Sequence, residues 1–254
     1  MKILLSPAKS IYADISSTTN DFSTPVFPKE SKFLVEKLKK LSAKKMANLM
    51  SISNDLAELN VKRYHDFILP GESGEGLFQA IFGFSGEVYK GFDVNSLSLD
   101  QLHRAQEQII ILSGLYGILK PLDVIYPYRL EMGSKFPATK KHKDLYAYWG
   151  EKLTDILNQE LSENEPVVNL ASNEYSKAIL FKKIANPVVT PVFKEFKNGS
   201  YKIVMMYAKH ARGAMARHIV TNGINELEQI KLFNEDRYEF NVSLSTDSEW
   251  VFVR

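Results

Sequence analysis

The sequence predicts a single α/β or α+β domain in which helices flank a mixed β-sheet. Three short apolar runs, at residues 3–5, 109–112 and 167–170, have the length and composition of buried strands. Stretches with helical periodicity separate these runs, and such alternation is typical of a sheet covered by helices. Neither an internal repeat nor a long linker divides the 254 residues, so we expect one domain over 1–254.

The first third of the chain predicts a strand, an arm and a helical subregion. Strand 3–5 leads into a Ser-Pro turn, and residues 10–28 are polar and contain two prolines, which is typical of a long ordered arm. Apolar residues recur at helical spacing over about 29–67, in three pieces. Ser42 and Ser53 stand where the second and third helices would begin, so we expect both to be N-caps.

The middle of the chain predicts a short strand at 81–84, a glycine-flanked turn at 86–91 and a helix at 99–108 before strand 109–112. Apolar residues on one stripe predict an amphipathic helix over 144–161. Strand 167–170 is followed by Ser172 and Asn173, which are suited to cap a helix.

The last third predicts a hairpin, a long helix and two terminal strands. Residues 188–196 and 201–207 flank Lys197-Asn-Gly199, which is a strong turn signal. A helix over 208–221 follows, and Gly223 suits its C-cap. Residues 237–241 and 249–253 are the predicted terminal strands.

Composition excludes several classes of function. The absence of cysteine rules out disulfides, thiolate metal sites and peroxide reduction at a cysteine. The five histidines are scattered, and the phosphate-loop, dinucleotide and nucleophile-elbow motifs are missing, so we predict no metal site and no cofactor. No apolar stretch reaches the roughly 20 residues of a membrane helix, and the N-terminal apolar run is too short for a signal peptide. We therefore expect a cytoplasmic protein without a membrane partner.

Charge is unevenly distributed, although the formal net charge is only +2. Residues 29–63 carry nine Lys or Arg and four Asp or Glu, and residues 194–218 carry six and one. Residues 66–107 and 225–254 are acidic instead. This asymmetry allows a basic cleft on a nearly neutral molecule, and an anionic partner requires such a surface.

Residues 114–133 form the most informative motif, because three glycines, two prolines and three tyrosines suit neither a helix nor a strand. Such a segment holds its polar side chains in one fixed geometry. A structural loop whose charges satisfy one another would contain the same residues. The sequence of this motif alone therefore leaves both roles open.

The helix over 208–221 carries its charges on one side. Lys209, Gly213 and Arg217 fall opposite the apolar stripe, with Arg212 at the border. We expect Gly213 and Ala216 to keep this exposed strip flat, so that a phosphate can approach the cations. A solvated helix face is the alternative, although no acid occurs between residues 197 and 226.

Four motifs, at residues 4–10, 114–133, 169–177 and 209–219, together resemble the YaaA family of peroxide stress resistance proteins. They follow the family's order and spacing, so the resemblance covers essentially the whole chain. It implies a cytosolic protein that helps cells survive hydrogen peroxide by limiting damage from intracellular iron. The family is also associated with DNA binding through a positively charged cleft.

From the residues and the resemblance together we expect a monomer whose cleft binds DNA, mainly through the phosphate backbone. The cations expected to contact phosphate are Lys9, Lys120, Arg129, Lys177, Lys209, Arg212 and Arg217. The other residues expected to line the cleft are Ser6, Pro7, Tyr116, Asn173 and Tyr175.

Glu131 and Glu174 are the two acids inside these cationic motifs, and they orient cations, act as acid and base, or bind a metal. We favour the first role and a non-catalytic protein. The alternative is an enzyme acting on a nucleotide or another phosphorylated small molecule, with Glu131 or Glu174 as catalytic acid or base. A groove about 20 Å wide would favour the binding protein, and a closed pocket under about 1,000 Å³ would favour the enzyme.

Overall fold

The computed structural model describes residues 1–12, 17–69 and 76–254. The strands are β1 (Lys2–Leu5), β2 (Ser10–Ile11), β3 (Phe78–Gln79), β4 (Phe84–Ser85), β5 (Ile109–Ser113), β6 (Gly117–Leu119), β7 (Val124–Ile125), β8 (Val167–Asn169), β9 (Val188–Lys197), β10 (Ser200–Lys202), β11 (Glu239–Phe240) and β12 (Glu249–Val253). The helices are α1 (Pro28–Leu38), α2 (Ala43–Met50), α3 (Asn54–His65), α4 (Ala80–Gly83), α5 (Glu87–Phe92), α6 (Leu99–Gln108), α7 (Leu145–Trp149), α8 (Lys152–Glu160), α9 (Asn173–Ser176), α10 (Met205–Asn222) and α11 (Leu227–Ile230). Short 3-10 turns cover Val94–Ser96, Phe181–Lys183, Glu235–Arg237 and Val242–Leu244.

The main sheet has the strand order β11-β12-β9-β8-β1-β5-β6, and β10 pairs with β9. Its five central strands, from β12 to β5, are parallel, whereas β6 and β11 are antiparallel to their neighbours. The prediction of a mixed α/β fold, with a mixed β-sheet and flanking helices, is confirmed.

The core is built on the apolar runs that predicted it. Every residue of β1, β5 and β8 is buried, which is typical of interior strands in a parallel sheet that is covered on both faces. Since β1, β5, β8 and β9 are parallel, they end at the same side of the sheet, which we call the carboxyl edge. Loops that follow these strands are therefore brought close together.

The predicted helical subregion is confirmed as α1, α2 and α3. The hydroxyl of Ser42 accepts a hydrogen bond from the Lys45 N–H, and that of Ser53 accepts one from the Leu56 N–H. Both serines therefore cap their helices as predicted. Gly223 ends α10 in the left-handed conformation with φ at 61°, which confirms its assignment as a C-cap.

Two predictions in the middle of the chain are wrong. The segment predicted as strand 81–84 is mostly helix α4, and the predicted turn at 86–91 is helix α5. A short buried apolar run does not distinguish strand from helix by periodicity. Here the N–H groups of Ala80 and Ile81 donate to the carbonyls of Asp123 and Pro121, which starts the helix.

Three predicted elements have different bounds in the structure. The helix predicted over 144–161 divides into α7 and α8, because Gly150 adopts a positive φ of 51° between them. The second hairpin strand ends at Lys202, and α10 begins at Met205, so part of the predicted strand 201–207 is helical. The strand predicted at 237–241 is reduced to β11.

The predicted arm at 10–28 is tied to the rest of the domain by backbone pairing as well as by side-chain hydrogen bonds. β2 pairs with β4, and Ser23 forms a bridge with Asp123. Residues 13–16 of this arm lie outside the described residues.

Helices α5 and α10 pack with their backbones in close contact. A Cβ on Gly213 would overlap the Val88 carbonyl oxygen, and a Cβ on Gly91 would overlap that of His210. Only glycine allows this approach. The contact places α5 and the first half of α10 together at the carboxyl edge, where they face the ends of β1 and β8.

Candidate functional site

A cavity of about 250 Å³ opens at the carboxyl edge, where β1 and β8 end. The segments after these two strands supply one wall, and α5 and α10 supply the other. The lining residues are Ser6, Pro7, Ala8, Lys9, Ser10, Ser85, Gly86, Glu87, Val88, Tyr89, Leu170, Ser172, Glu174, Tyr175, Lys209 and Arg212. Ligands of open α/β sheets bind at this edge, so we call it the first cavity of the candidate site.

A second cavity of about 360 Å³ shares Lys9 and Glu174 with the first. Its lining residues are Lys9, Leu49, Met50, Ser51, Arg129, Glu131, Gly133, Ser134 and Glu174. We call the two cavities together the cleft. Each of the four sequence motifs contributes side chains to it, although the motifs span the chain from residue 4 to residue 219.

Formal charge in the cleft is close to balanced. Four cations, Lys9, Arg129, Lys209 and Arg212, line it together with Glu87, Glu131 and Glu174. Glu87 is paired with Lys90 at 2.7 Å. The capacity for an anion therefore depends on which cations lack a protein partner, not on a large excess of positive charge.

Glu131 bridges two of the cations. Its Oε2 lies 2.7 Å from Lys9 Nζ, and its Oε1 accepts a hydrogen bond from Arg129 Nη2 at 3.1 Å. Glu131 therefore anchors both cations at the second cavity, which is the orienting role considered for it. Arg129 Nε is buried and has no hydrogen-bond partner within the described part of the chain.

Arg212 differs from Arg129, because no described residue forms a hydrogen bond or an ion pair with its guanidinium. Burial lowers its pKa, although an arginine stays protonated at neutral pH. A largely buried, unpaired cation is unfavourable unless an anion binds to it. Lys209, one turn earlier on α10, is exposed and also lacks an ion pair among the described residues.

Hydrogen bonds of three hydroxyl groups fix one wall of the first cavity. The backbone N–H of Ser172 donates to Ser6 Oγ at 2.9 Å, and the two hydroxyl oxygens lie 3.2 Å apart. Tyr89 donates to the Ser6 carbonyl at 3.0 Å. These bonds connect the ends of β1 and β8 to α5, so that the cavity wall is held from three elements.

Glu174 is oriented by backbone. Its Oε1 accepts a hydrogen bond from the Gly133 N–H at 2.9 Å, and a Cβ on Gly133 would lie 3.1 Å from that oxygen. Glycine at this position therefore lets the carboxylate approach. Glu174 lines both cavities and so stands between the anchored cations and the unpaired Arg212.

The remaining residues of the third motif are divided between cavity and surface. Tyr175 is buried and lines the first cavity, and burial raises the pKa of its hydroxyl well above the ordinary value. It is therefore a neutral group at neutral pH. Asn173 and Lys177 are exposed and belong to neither lining.

Tyr116 was expected to line the cleft, but it belongs to the lining of neither cavity. It is completely buried, and its hydroxyl accepts a hydrogen bond from the Tyr126 N–H at 3.0 Å. Its ring packs edge-on against Tyr128 at 5.1 Å. This residue stabilises the 114–133 motif from inside, which is the structural role that the sequence had left open.

Lys120 is a second correction. It forms an ion pair with Glu160 at 2.9 Å, and Glu160 also contacts Lys2 at 3.5 Å. Lys2 begins β1, so this cluster lies at the side of the sheet opposite the carboxyl edge. Because β6 runs antiparallel to β5, the residue after β6 is carried away from the cleft.

Arg217 and the small residues of α10 have structural roles. Arg217 donates to the carbonyls of Phe92 and Asp93 at 3.1 and 3.0 Å, which caps the end of α5. Gly213 and Ala216 are buried, so they do not form a flat exposed strip. Gly213 allows α10 to pack closely against α5, and neither small residue provides a surface for a phosphate.

Residues 85–89 line the first cavity, although none of them is among the residues expected from the sequence. A turn was expected at 86–91, and a turn has no helix face that could line a cavity. Gly91 is the residue that could have indicated a helix here, because glycine occurs at close helix contacts as well as in turns. In the structure Gly91 is a helix-packing position against α10.

Within residues 1–12, 17–69 and 76–254, no group of three or more His, Asp or Glu side chains is arranged to hold a metal ion. None of the described helices combines the length and the apolar character required to cross a membrane.

Fold and site together define a mixed α/β protein with a cleft of mixed charge at the carboxyl edge of its sheet. Residues 1–244 match the family model described as peroxide stress protein YaaA, and the chain belongs to that family. It is 49% identical over its whole length to a UPF0246 protein of Dechloromonas aromatica, covering 99% of that relative. It is 46% identical to UPF0246 proteins of Burkholderia ambifaria and of a Janthinobacterium species, covering 98% of each. Family membership gives the chain a general role in peroxide stress.

Proposed function

We propose that this protein protects DNA against iron-mediated oxidative damage by binding it through the cleft, as a monomer in the cytoplasm. Membership of a peroxide stress family supports the physiological role. DNA lies across the mouth of the cleft, and one backbone phosphate reaches the cations inside. Binding is therefore directed at the phosphate backbone and is independent of base sequence.

The unpaired guanidinium of Arg212 is the observation that carries this proposal. It faces a cavity that Lys209 also lines, and no described acid neutralises either group within ion-pair distance. Lys9 and Arg129 are less available, since Glu131 holds both. Arg212 and Lys209 are therefore the principal phosphate ligands, and Glu131 fixes the geometry of the neighbouring cations.

The test is the affinity of Arg212→Ala for a duplex of mixed sequence over a range of salt concentrations. Loss of one phosphate contact should weaken binding of every sequence alike and lower the salt slope by about one unit. Lys182→Ala removes an exposed lysine outside the cleft lining and is the matched control. If Arg212→Ala keeps the affinity and salt slope of the unaltered protein while folded, the cleft is not the DNA site.

The size of the cleft favours a second candidate, an enzyme acting on a nucleotide or another phosphorylated small molecule. Cavities of about 250 and 360 Å³ fit a small ligand and do not admit a duplex about 20 Å wide. Glu174 would then be the acid or base beside the phosphate held by Arg212. Glu174→Gln distinguishes the two functions. If the protein is an enzyme, this variant no longer protects cells against peroxide but keeps its DNA affinity. If the protein acts by binding DNA, peroxide protection and DNA affinity change together.

A further inference from the structure

The β9–β10 hairpin presents aromatic rings to solvent. Phe196 is 60% exposed and Tyr201 is 41% exposed, and they face each other across the hairpin as a cross-strand pair. Their ring centroids lie 5.2 Å apart in an edge-on arrangement. A cross-strand aromatic pair stabilises a hairpin, and when it is exposed it also offers flat ring faces on which a ligand can stack.

Lysines lie on both faces of the hairpin, and Lys194 shares the face of the two rings. Lys194, Lys197 and Lys202 lie on the two strands of the hairpin, and none has an ion pair among the described residues. The acid of this segment, Glu195, is held by Arg254 at 2.9 Å and by the Tyr238 hydroxyl. The exposed charge of the hairpin is therefore positive, which complements an anionic partner.

The hairpin stands beside the cleft. β9 pairs with β8 only at Val188 and Val189 and then continues to Lys197, so it projects beyond the carboxyl edge where β8 ends. The chain returns through β10 directly into α10, which carries Lys209 and Arg212 into the first cavity. Only residues 203–208 separate the hairpin from Lys209 in the sequence, so the hairpin and the cationic part of α10 belong to one continuous segment.

We propose that Phe196 and Tyr201, with the lysines of the hairpin, form a stacking platform for the unpaired bases of single-stranded DNA. The proposal rests on the proposed function and names its preferred substrate. Proteins that bind single strands combine cations along the backbone path with aromatic rings on which bases stack. A duplex keeps its bases stacked internally and so gains only the charge contacts of the hairpin.

The test compares a labelled 20-nucleotide oligo(dT) with a 20-base-pair duplex by fluorescence anisotropy, using the full chain. Since stacking contributes about 1–3 kcal/mol per base, F196A/Y201A should weaken oligo(dT) binding about tenfold or more and duplex binding less than about twofold. F196L/Y201L keeps the apolar side chains but lacks the rings, and it should lose the same affinity. Phe22→Ala, at an aromatic residue 73% exposed beside Asp21, is the matched control and should change neither value.

The outcomes separate the platform from the cleft. If the unaltered protein binds both DNAs and F196A/Y201A loses neither or loses both equally, the platform is wrong and the proposed function stands. If the unaltered protein binds neither DNA, the proposed function fails and the platform fails with it. If the hairpin instead contacts a second copy of the chain, F196A/Y201A changes the sedimentation coefficient and keeps the oligo(dT) affinity. If it contacts a membrane, F196A/Y201A weakens binding to phosphatidylserine vesicles and keeps the oligo(dT) affinity. Either result overturns the platform.

Discussion

At the scale of single residues, the cleft contains two kinds of cation, those that form an ion pair with an acid in the described part of the chain and those that do not. Glu131 holds Lys9 and Arg129, whereas Arg212 and Lys209 are left without ion pairs among the described residues. The sequence showed these residues in four motifs but not which cations pair with an acid. That distinction depends on distances between residues far apart in the chain, such as the 2.7 Å between Lys9 and Glu131.

Gly213→Ala should destabilise the protein by about 1–3 kcal/mol, because the added Cβ overlaps the Val88 carbonyl and forces α5 away from α10. The free energy of unfolding in urea measures this effect. The sign is decisive, since alanine in place of glycine inside a helix otherwise stabilises by roughly 0.5–1 kcal/mol.

Gly91→Ala approaches the same contact from α5, so it should show a loss of similar size. Gly199→Ala is the contrasting variant, because no atom lies within 4 Å of its added Cβ and only its φ of +77° opposes the change. A stabilised Gly213→Ala would show that the two helices are not packed as described.

At the scale of elements, the sequence predicted best where periodicity was long or a cap was present. The runs that became β1, β5 and β8 and the capped helices α2 and α3 were predicted correctly. The prediction failed where tertiary contacts decide, as at α4, whose first N–H groups are held by carbonyls about 40 residues later. It also failed at Gly150, because a helical stripe continues unchanged across a break in the backbone.

Helix α10 gives a pH-dependent prediction through His218. Burial lowers the pKa of this imidazole below its ordinary 6.5, and the ring packs edge-on against Phe233 at 5.5 Å. The unfolded chain then binds the proton more tightly than the folded protein. Stability supplied by the neutral ring is therefore full above about pH 6.5 and is lost as the pH falls through the folded pKa.

His218→Gln removes this proton site, so its urea midpoint should fall less between pH 7.5 and pH 5.5 than that of the unaltered protein. Other groups titrate in the same range, and the difference between the two proteins isolates the contribution of His218. Parallel midpoints across the range would mean that His218 titrates alike in the folded and unfolded states.

At the scale of the whole molecule, the two sides of the parallel sheet have different tasks. The carboxyl edge gathers the four motifs into the cleft, and the opposite side carries the ion-pair cluster of Lys120, Glu160 and Lys2. That the four motifs meet at one edge was predictable, because parallel strands bring the loops that follow them to the same edge of the sheet. The position of Lys120 was not, since it depends on the antiparallel direction of β6, a strand that the sequence analysis did not predict.

Lys120→Ala should therefore lower stability without changing DNA binding. The ion pair with Glu160 is partly exposed and Lys2 still contacts the same carboxylate, so the expected loss is under about 1 kcal/mol in urea unfolding. Duplex affinity should stay within about twofold, with the same salt slope. Lys209→Ala, on the exposed side of α10, is expected to show the reverse pattern of weaker DNA binding and unchanged stability. If Lys120→Ala weakened DNA binding as much as Lys209→Ala does, the DNA path would have to extend around the sheet to its opposite side, and a site confined to the cleft and hairpin would be excluded.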